Sequence, residues 1–409
     1  MSCIAIVFPS FGPYHRARTD ALHDYLSAHG HRLIAFQFSR TSNEYSWINA
    51  TPLRTKLITL GFGLSFFHTL LFPFVFASYV LRYRIRSVFV PSYSPLPNSA
   101  ILIVSRLLRC KVVLMLDSWE QTGTKNTLIC CIKRILVHLA HTAFVSGSKT
   151  KEYLVSLGFD SGSIYIGYDV VDNDYFSSFR KLYSFDKPFS CPALPSQYFL
   201  SIGRLVPKKN IHLILLAYHY FTTHYVQMLE PLRFEDPSST HISGNIPSLV
   251  IVGNGPEFSS LIDQCNSLGL STYINMSTSE LAQRYDVVFY PFQDYGVVPN
   301  FYHNALCSIL ASNAEEWGLV VNESMACSTP VICSDGIGSA YDLIQDGNNG
   351  FIFKSDDVEA LSLCLFRSLE VSSDLSFKNN IQETIKHWDL GLFCKSAYLS
   401  FLHASSQKR

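Results

Sequence analysis

Short apolar runs of about five to seven residues alternate along the whole chain with longer stretches whose apolar positions recur at helical spacing. That alternation predicts parallel sheets with helices on both faces. It falls into two series. The first opens with "CIAIVFPSFGPYH" and a helix from about Ala17 to Ala28, continues through "RLIAFQFS", "SVFVPSY" and "KVVLMLD", and reaches "TAFVSGS" and "IYIGYDVV". The second begins at "QYFLSIGRL" and runs through "SLVIVGNGP", "VVFYPF", "CSILAS" and "PVICSDG". Pro188, Pro192 and Pro195 mark residues 183–196 as an interdomain linker. The pattern therefore predicts an α/β chain of two Rossmann-like, doubly wound domains, 1–182 and 197–375, facing each other across a cleft. "EPLRFEDPSSTHISGNI", Glu230 to Ile246, reads as a polar surface insertion, and "KHWDLGLFCKSAYLSFLHA" as a last amphipathic helix.

One stretch departs from this pattern. Leu57 to Leu81, "LITLGFGLSFFHTLLFPFVFASYVL", carries no formal charge between Lys56 and Arg82 and is long enough to span a bilayer. Three readings stand: a helix packed on its domain, a helix lying in a membrane interface, or a true span. Pairing of the flanking strands in one sheet would put half that sheet across the membrane, and His68 and Pro73 also weigh against spanning.

Composition narrows the class. A chain of 409 residues suits two domains, and a net charge of zero with 16% charged residues offers no overall polyanion-binding balance, so nucleic acid is not expected as a partner. The eleven cysteines include no CxxC pair, which predicts reduced thiols rather than a metal or disulfide framework. The start "MSCIAIVFPSFG" lacks a basic leader region, so a cytoplasmic location is expected.

Ligands in open α/β sheets bind beyond the strand tips, where helix N-termini and free amides converge. After "CSILAS" the chain reads Asn313-Ala314-Glu315-Glu316-Trp317-Gly318, then "LVVNESMAC" with helical spacing. Gly318 permits close backbone approach, and the helix start at Leu319 and Val320 offers N–H groups to an anion. Glu315 and Glu323 are placed to bracket a ligand and orient its hydroxyls. The alternative is that Glu315 and Glu316 simply favour the helix N-terminus electrostatically. Arg204 and Lys209, in "SIGRLVPKKN", lie just after another strand, where two cations suit a diphosphate. As solvated surface charges they would mean little.

Four fragments in order, "GRLVPKKN", "VIVGNGPE", "EEWGLVVNESMACSTPVICSD" and "DGNNGFIF", resemble the retaining glycosyltransferases of family 4, which have the GT-B fold. Glu315 and Glu323 match that family's paired-glutamate E-x7-E motif. The amino-terminal half matches more loosely through "FGPYHRAR" and "GYDVVDNDYF". The resemblance implies that Arg204 and Lys209 bind the donor diphosphate, Glu323 the ribose hydroxyls and Glu315 the transferred sugar. It further implies that Gly318 to Val320, Gly203 and Gly12 help hold the donor, that Phe292 flanks its base, and that helices within 376–409 return to the first domain.

Two departures from the family pattern stand out, and one is that where many members carry a glycine pair after "SD" this chain reads Gly336-Ile337-Gly338. Members commonly carry a histidine after the fourth amino-terminal strand; here the chain reads "VLMLDSWEQ", so Asp117 or Glu120 stands in or the role is absent. His15 either faces the acceptor or is a satisfied loop histidine. The expected activity is transfer of a sugar from a nucleotide-diphosphate sugar to a hydroxyl acceptor, with retention, without cofactor or metal. The "SDD" at Ser355 to Asp357 lies too far along the chain to serve as a metal-binding acid pair. A lipid-linked acceptor would put the protein on the inner face of a membrane. The competing readings are a non-catalytic GT-B subunit or glycan-binding scaffold and, more remotely, a GT-B phosphorylase or epimerase.

Overall fold

A computed structural model describes residues 1–39, 52–61, 66–122, 127–182, 193–235, 246–274 and 284–407. The chain divides into two compact units, Met1–Asp172 with His387–Arg409, and Asn173–Lys386. The linker expected at 183–196 falls largely outside the described residues, as do residues 236–245 of the expected insertion.

The first unit runs β1 (Cys3–Phe8), α1 (Pro13–Ala28), β2 (Arg32–Gln37), β3 (Lys56–Thr59), α2 (Phe66–Tyr83), β4 (Ile85–Pro91), α3 (Leu96–Leu107), β5 (Lys111–Leu116), α4 (Thr127–Val137), β6 (Thr142–Val145), α5 (Ser148–Ser156) and β7 (Ile164–Ile166). Its described strands form one parallel sheet in the order β3-β2-β1-β4-β5-β6-β7. A parallel sheet is covered on both faces, which is why runs such as "VVLML" show no polar alternation. Phe72, Phe76 and Val80 of α2, Ile101 and Leu102 of α3, Val137 of α4 and Leu154 of α5 cover one face, and Leu22 and Leu26 of α1 the other. Helix α1 starts at Pro13, a turn earlier than its apolar spacing predicts, because proline needs no hydrogen-bond partner at the first helical position.

The stretch from Leu57 to Leu81 is not one helix. Its beginning is the edge strand β3, which pairs with β2 from Ile34↔Lys56 to Gln37↔Thr59, and Gln37 Nε2 donates to Thr59 Oγ1 at 2.9 Å. Its later part is α2, which contains Pro73. Among the described residues no helix is long and apolar enough to cross a membrane.

The second unit runs α6 (Asn173–Leu182), β8 (Tyr198–Ile202), α7 (Ile211–Glu235), β9 (Ser248–Val252), α8 (Phe258–Ser267), β10 (Thr272–Ile274), β11 (Val287–Tyr290), α9 (Val298–Asn304), β12 (Cys307–Leu310), α10 (Leu319–Ala326), β13 (Val331–Ser334), α11 (Ala340–Leu343), β14 (Phe351–Phe353), α12 (Val358–Val371) and α13 (Leu375–Ile385). The polar stretch from Glu230 begins as the end of α7 rather than as a loop. Helix α6, expected to close the first domain, packs on α9 and α10, and α13, expected among the returning helices, packs on α10. The last helix, α14 (Leu390–Ser406), packs on α1 and against β5, β6 and β7 of the first unit. Aspartates cap the three closing helices: Asp357 accepts from the Ala360 amide, Asp374 from Ser376 and Asp389 from Leu392. The "SDD" acids thus have a local task, Asp357 as a cap and Asp356 as acceptor for Asn210.

The second sheet is also parallel, in the order β10-β11-β9-β8-β12-β13-β14. The strands that follow β8 build outward on one side, and from β12 onward they build on the other. The tips of β8 and β12 therefore flank the topological switch point, where open α/β sheets bind ligands.

Candidate active site at the tips of strands β8 and β12

Gly203 and Arg204 leave β8, and a short 3-10 turn, Pro207–Lys209, ends at Asn210 in the left-handed region (φ 52°) before α7. The next loop lies directly against this one. The Leu205 amide donates to Asn254 O at 2.9 Å and the Glu257 amide to Leu205 O at 3.1 Å. The approach leaves no room for side chains in "GNGP": a Cβ on Gly253 would sit 1.9 Å from Gly203 O, and one on Gly255 2.2 Å from Leu205 O. Phe292, after β11, is half-buried, and its amide donates to Asn254 Oδ1 at 3.1 Å.

The loop after β12 reaches the same place from the other side. Its Asn313 amide donates to Lys208 O at 3.1 Å, and Asn210 Nδ2 donates to Asn313 Oδ1 at 2.7 Å. Glu315 is fixed by its backbone: its amide donates to Gly336 O at 2.8 Å and its carbonyl accepts from Gly338 at 3.2 Å. A Cβ on Gly336 would meet Asn313 O at 2.4 Å. The absence of a side chain at Gly336 is what lets this crossing form.

Across the switch point Lys209 Nζ donates to Glu315 Oε2 at 2.6 Å, and both side chains are largely buried. Lys208 Nζ pairs with Glu316 and lies 3.9 Å from Glu315 Oε1. Burial works against the Glu315 carboxylate, but the two ammonium groups outweigh it and hold its pKa below the ordinary value. Gly318 adopts φ 91° at the start of α10, where a Cβ would crowd Ile337 and Leu310 at 3.1 Å. Helix α10 has no side-chain N-cap, and its half-buried first residues are Leu319 and Val320. Trp317 Nε1 instead donates into the helix at Asn322 Oδ1, 2.8 Å away.

The structure therefore brings Gly203, Arg204, Lys209, Glu315, Gly318, Leu319 and Val320 to adjacent strand tips. Glu323 sits deeper. It is 3% exposed in the second turn of α10, and Tyr302 Oη donates to its Oε2 at 2.7 Å. Lys208 and Tyr302 were not singled out by the sequence; the doubled lysine of "PKK" was the available sign of the first, and no spacing points to the second.

The remaining candidates belong to the first unit. Gly12 caps α1 with extended backbone, so no left-handed conformation requires a glycine there. His15 stacks on Phe8 with ring centroids 4.3 Å apart. Burial pushes its imidazole down to about 3, with Arg18 adding to the shift. Asp117 follows β5, the fifth strand rather than the fourth, because the edge strand β3 escapes a count of apolar runs. Its carbonyl accepts from Thr150 Oγ1 at 2.8 Å. Among the described residues no group of three or more His, Cys, Asp or Glu side chains could hold a metal ion.

Residues 190–388 match the model of the family glycosyl transferases group 1. That match covers most of the second unit and contains every residue placed at the β8 and β12 tips. A D-inositol 3-phosphate glycosyltransferase from Mycolicibacterium vanbaalenii is 29% identical over 136 residues, 32% of this chain and 30% of that protein. The chain thus aligns with under a third of the length of the curated relatives it matches. Among solved structures, a glycosyltransferase from Rickettsia africae superposes with TM-score 0.68 at 16% identity, covering 100% of this chain and 99% of that one. Anabaena HepE in complex with UDP superposes with TM-score 0.67 at 15% identity, covering 98% and 100%. With the two parallel sheets, these likenesses give the chain the two-domain, Rossmann-like GT-B fold.

Proposed function

We propose that this protein is a retaining glycosyltransferase of the family 4 type that moves a sugar from a nucleotide-diphosphate sugar to a hydroxyl acceptor. The observation that carries the reading is the meeting of Lys209 and Glu315 across the switch point between β8 and β12, beside the Gly318 turn and the start of α10. A donor diphosphate would take over the Lys209 ammonium and the Arg204 guanidinium, with the α10 amides at its oxygens. Fixed cations aimed at the departing diphosphate supply the stabilisation that is commonly the largest contribution to catalysis. Released from Lys209, the Glu315 carboxylate orients hydroxyls of the transferred sugar. Glu323, held by Tyr302, is the ribose group, and Phe292 the base neighbour. Because these cations neutralise the leaving group, metal is not required, and EDTA should leave turnover unchanged.

The group 1 family match supports this class of chemistry. The acceptor is proposed to be a lipid-linked hydroxyl met in the cytoplasm at the inner face of a membrane, in keeping with the long apolar stretch around α2.

The test is a mass-spectrometric screen of nucleotide sugars for enzyme-dependent release of free nucleotide, followed by Lys209→Ala and Glu315→Ala. Each should lower turnover by roughly 10² to 10³, the scale of removing one preorganised electrostatic group. Near-normal turnover in both folded variants would remove the assigned roles, and nucleotide binding without release or transfer would make the chain a non-catalytic member of its fold.

A further inference from the structure

Helices α2, α3 and α4 are apolar on two sides. Their inner faces cover the first sheet, as Phe72, Phe76, Val80, Ile101, Leu102 and Val137 show. A helix that is hydrophobic all round is ordinarily buried all round. Here the outer faces are open: Phe74 is 71% exposed, Leu107 76%, Ile135 67% and Leu81 66%, with Leu71 and Ile132 about half exposed. By contrast α1 and α14, on the opposite face of the same sheet, leave only Leu399 and Leu402 among large apolar side chains exposed. Scattered exposed apolar residues need no explanation, but a cluster along one layer of helices marks an interaction surface.

Charge identifies the partner. The chain is neutral overall, yet between residues 45 and 151 its only acids are Asp117 and Glu120, against thirteen lysines and arginines. Arg84, Arg86, Arg109 and Arg134 are exposed beside these helices, and among the described residues none of them is in an ion pair. Arg82 lies over the Tyr83 ring at 5.8 Å and Lys56 over the same ring at 5.0 Å. A nucleic acid would use the cations and leave the leucines and Phe74 in water; a bilayer of anionic lipid uses both, through acyl contact and headgroup attraction.

We infer that the outer face of α2, α3 and α4 docks flat on an anionic phospholipid membrane, with Phe74, Leu107 and Ile135 entering the acyl boundary and the arginines meeting the phosphates. This names the surface on which the proposed lipid-linked acceptor would be met. It rests on that reading only for its purpose, because docking requires neither donor nor acceptor.

Flotation of the full chain with vesicles tests it. Phosphatidylcholine vesicles containing phosphatidylglycerol should carry the protein upward, pure phosphatidylcholine vesicles should not, and added salt should weaken the binding. Arg84→Gln with Arg86→Gln should reduce partitioning about fivefold for each cation removed. Phe74→Ser with Ile135→Ser, at exposed positions, should reduce it while leaving the unfolding midpoint and nucleotide binding unchanged. The inference is overturned if the wild type stays with the pellet, if neutral vesicles float it equally, if both double variants bind like the wild type, or if it binds heparin and not vesicles. Nucleotide release, measured without vesicles, fails or succeeds independently of all of these.

Discussion

Two ion pairs show how differently the two units use charge. In the first unit Arg18 Nη1 meets Asp169 Oδ1 at 2.9 Å, with side chains 2% and 10% exposed. The same guanidinium donates through Nε to Val170 O at 2.9 Å and lies over the Tyr168 ring. In the second unit Lys209 and Glu315 are 13% and 15% exposed, and their neighbours Lys208 and Glu316 are both 37% exposed. The first pair is locked from several directions, joining α1 to the chain after β7. The second spans two loops at a switch point, each cation held by a carboxylate that the proposed donor diphosphate would replace. Burial and the number of additional bonds, rather than the type of charges, separate a scaffold from an exchangeable site.

The largest expected effect tests the locked pair. Asp169→Asn leaves the Arg18 charge buried beside a neutral amide, and should cost about 3 to 5 kcal/mol in urea unfolding. Nucleotide binding by the folded fraction should be unchanged, since Arg204, Lys209, Glu315 and Glu323, the side chains proposed to hold the donor, lie in the other unit. A loss below about 1 kcal/mol would show that the pair is no firmer than a surface bridge.

The next effect tests whether Glu323 is held as firmly as the scaffold. Tyr302→Phe removes a hydroxyl that donates to a nearly buried carboxylate, a bond of the charged class worth about 1.5 to 3 kcal/mol. If Glu323 serves the ribose, nucleotide affinity should fall together with stability. A stability loss with unchanged affinity would make Glu323 a structural residue.

A smaller effect reads the exchangeable pair through pH. The Glu315 carboxyl is held below its ordinary value of 4.5, so its contribution is complete above pH 4.5 and is lost as pH falls through the lower folded value. The stability gap between wild type and Glu315→Gln should therefore close on acidification below pH 4.5. A gap that widens there would reverse the assigned charge state.

These contrasts also explain what the sequence made legible. The β8 and β12 tips could be read because backbone crossings demand glycine at fixed places: Gly253 and Gly255 against the first loop, Gly336 against Asn313 and Gly318 at φ 91°. Such positions leave a local signature, and the acids and lysines lie within a few residues of it. Arg18 and Asp169 stand 151 residues apart in sequence with no periodic relation, so nothing local announces them. The same holds for Tyr302 and Glu323, brought together only when α9 packs on α10. The strand β3 was hidden for a different reason: three of its four residues, Leu57 to Thr59, open a longer apolar stretch that reads as helix by hydropathy, and only pairing with β2 fixes them as an edge.

The smallest effect at neutral pH concerns His15, the acceptor-side candidate. Its folded pKa of about 3 lies well below the ordinary 6.5, with burial against Phe8 and Phe11 as the first cause and Arg18 as the second. The imidazole is therefore neutral wherever the protein is expected to work, and it cannot supply a protonation step near pH 6 or 7. Between pH 3 and 6.5 the unfolded chain binds a proton here that the folded chain refuses, so stability rises with pH through that window and is flat above it. His15→Gln should remove that slope and leave stability at pH 7.5 nearly unchanged, which urea midpoints across the range would show. An NMR titration giving the wild-type ring a midpoint near 6.5 would mean that the stack on Phe8 opens to solvent, and it would return His15 to the acceptor side as a group able to carry charge.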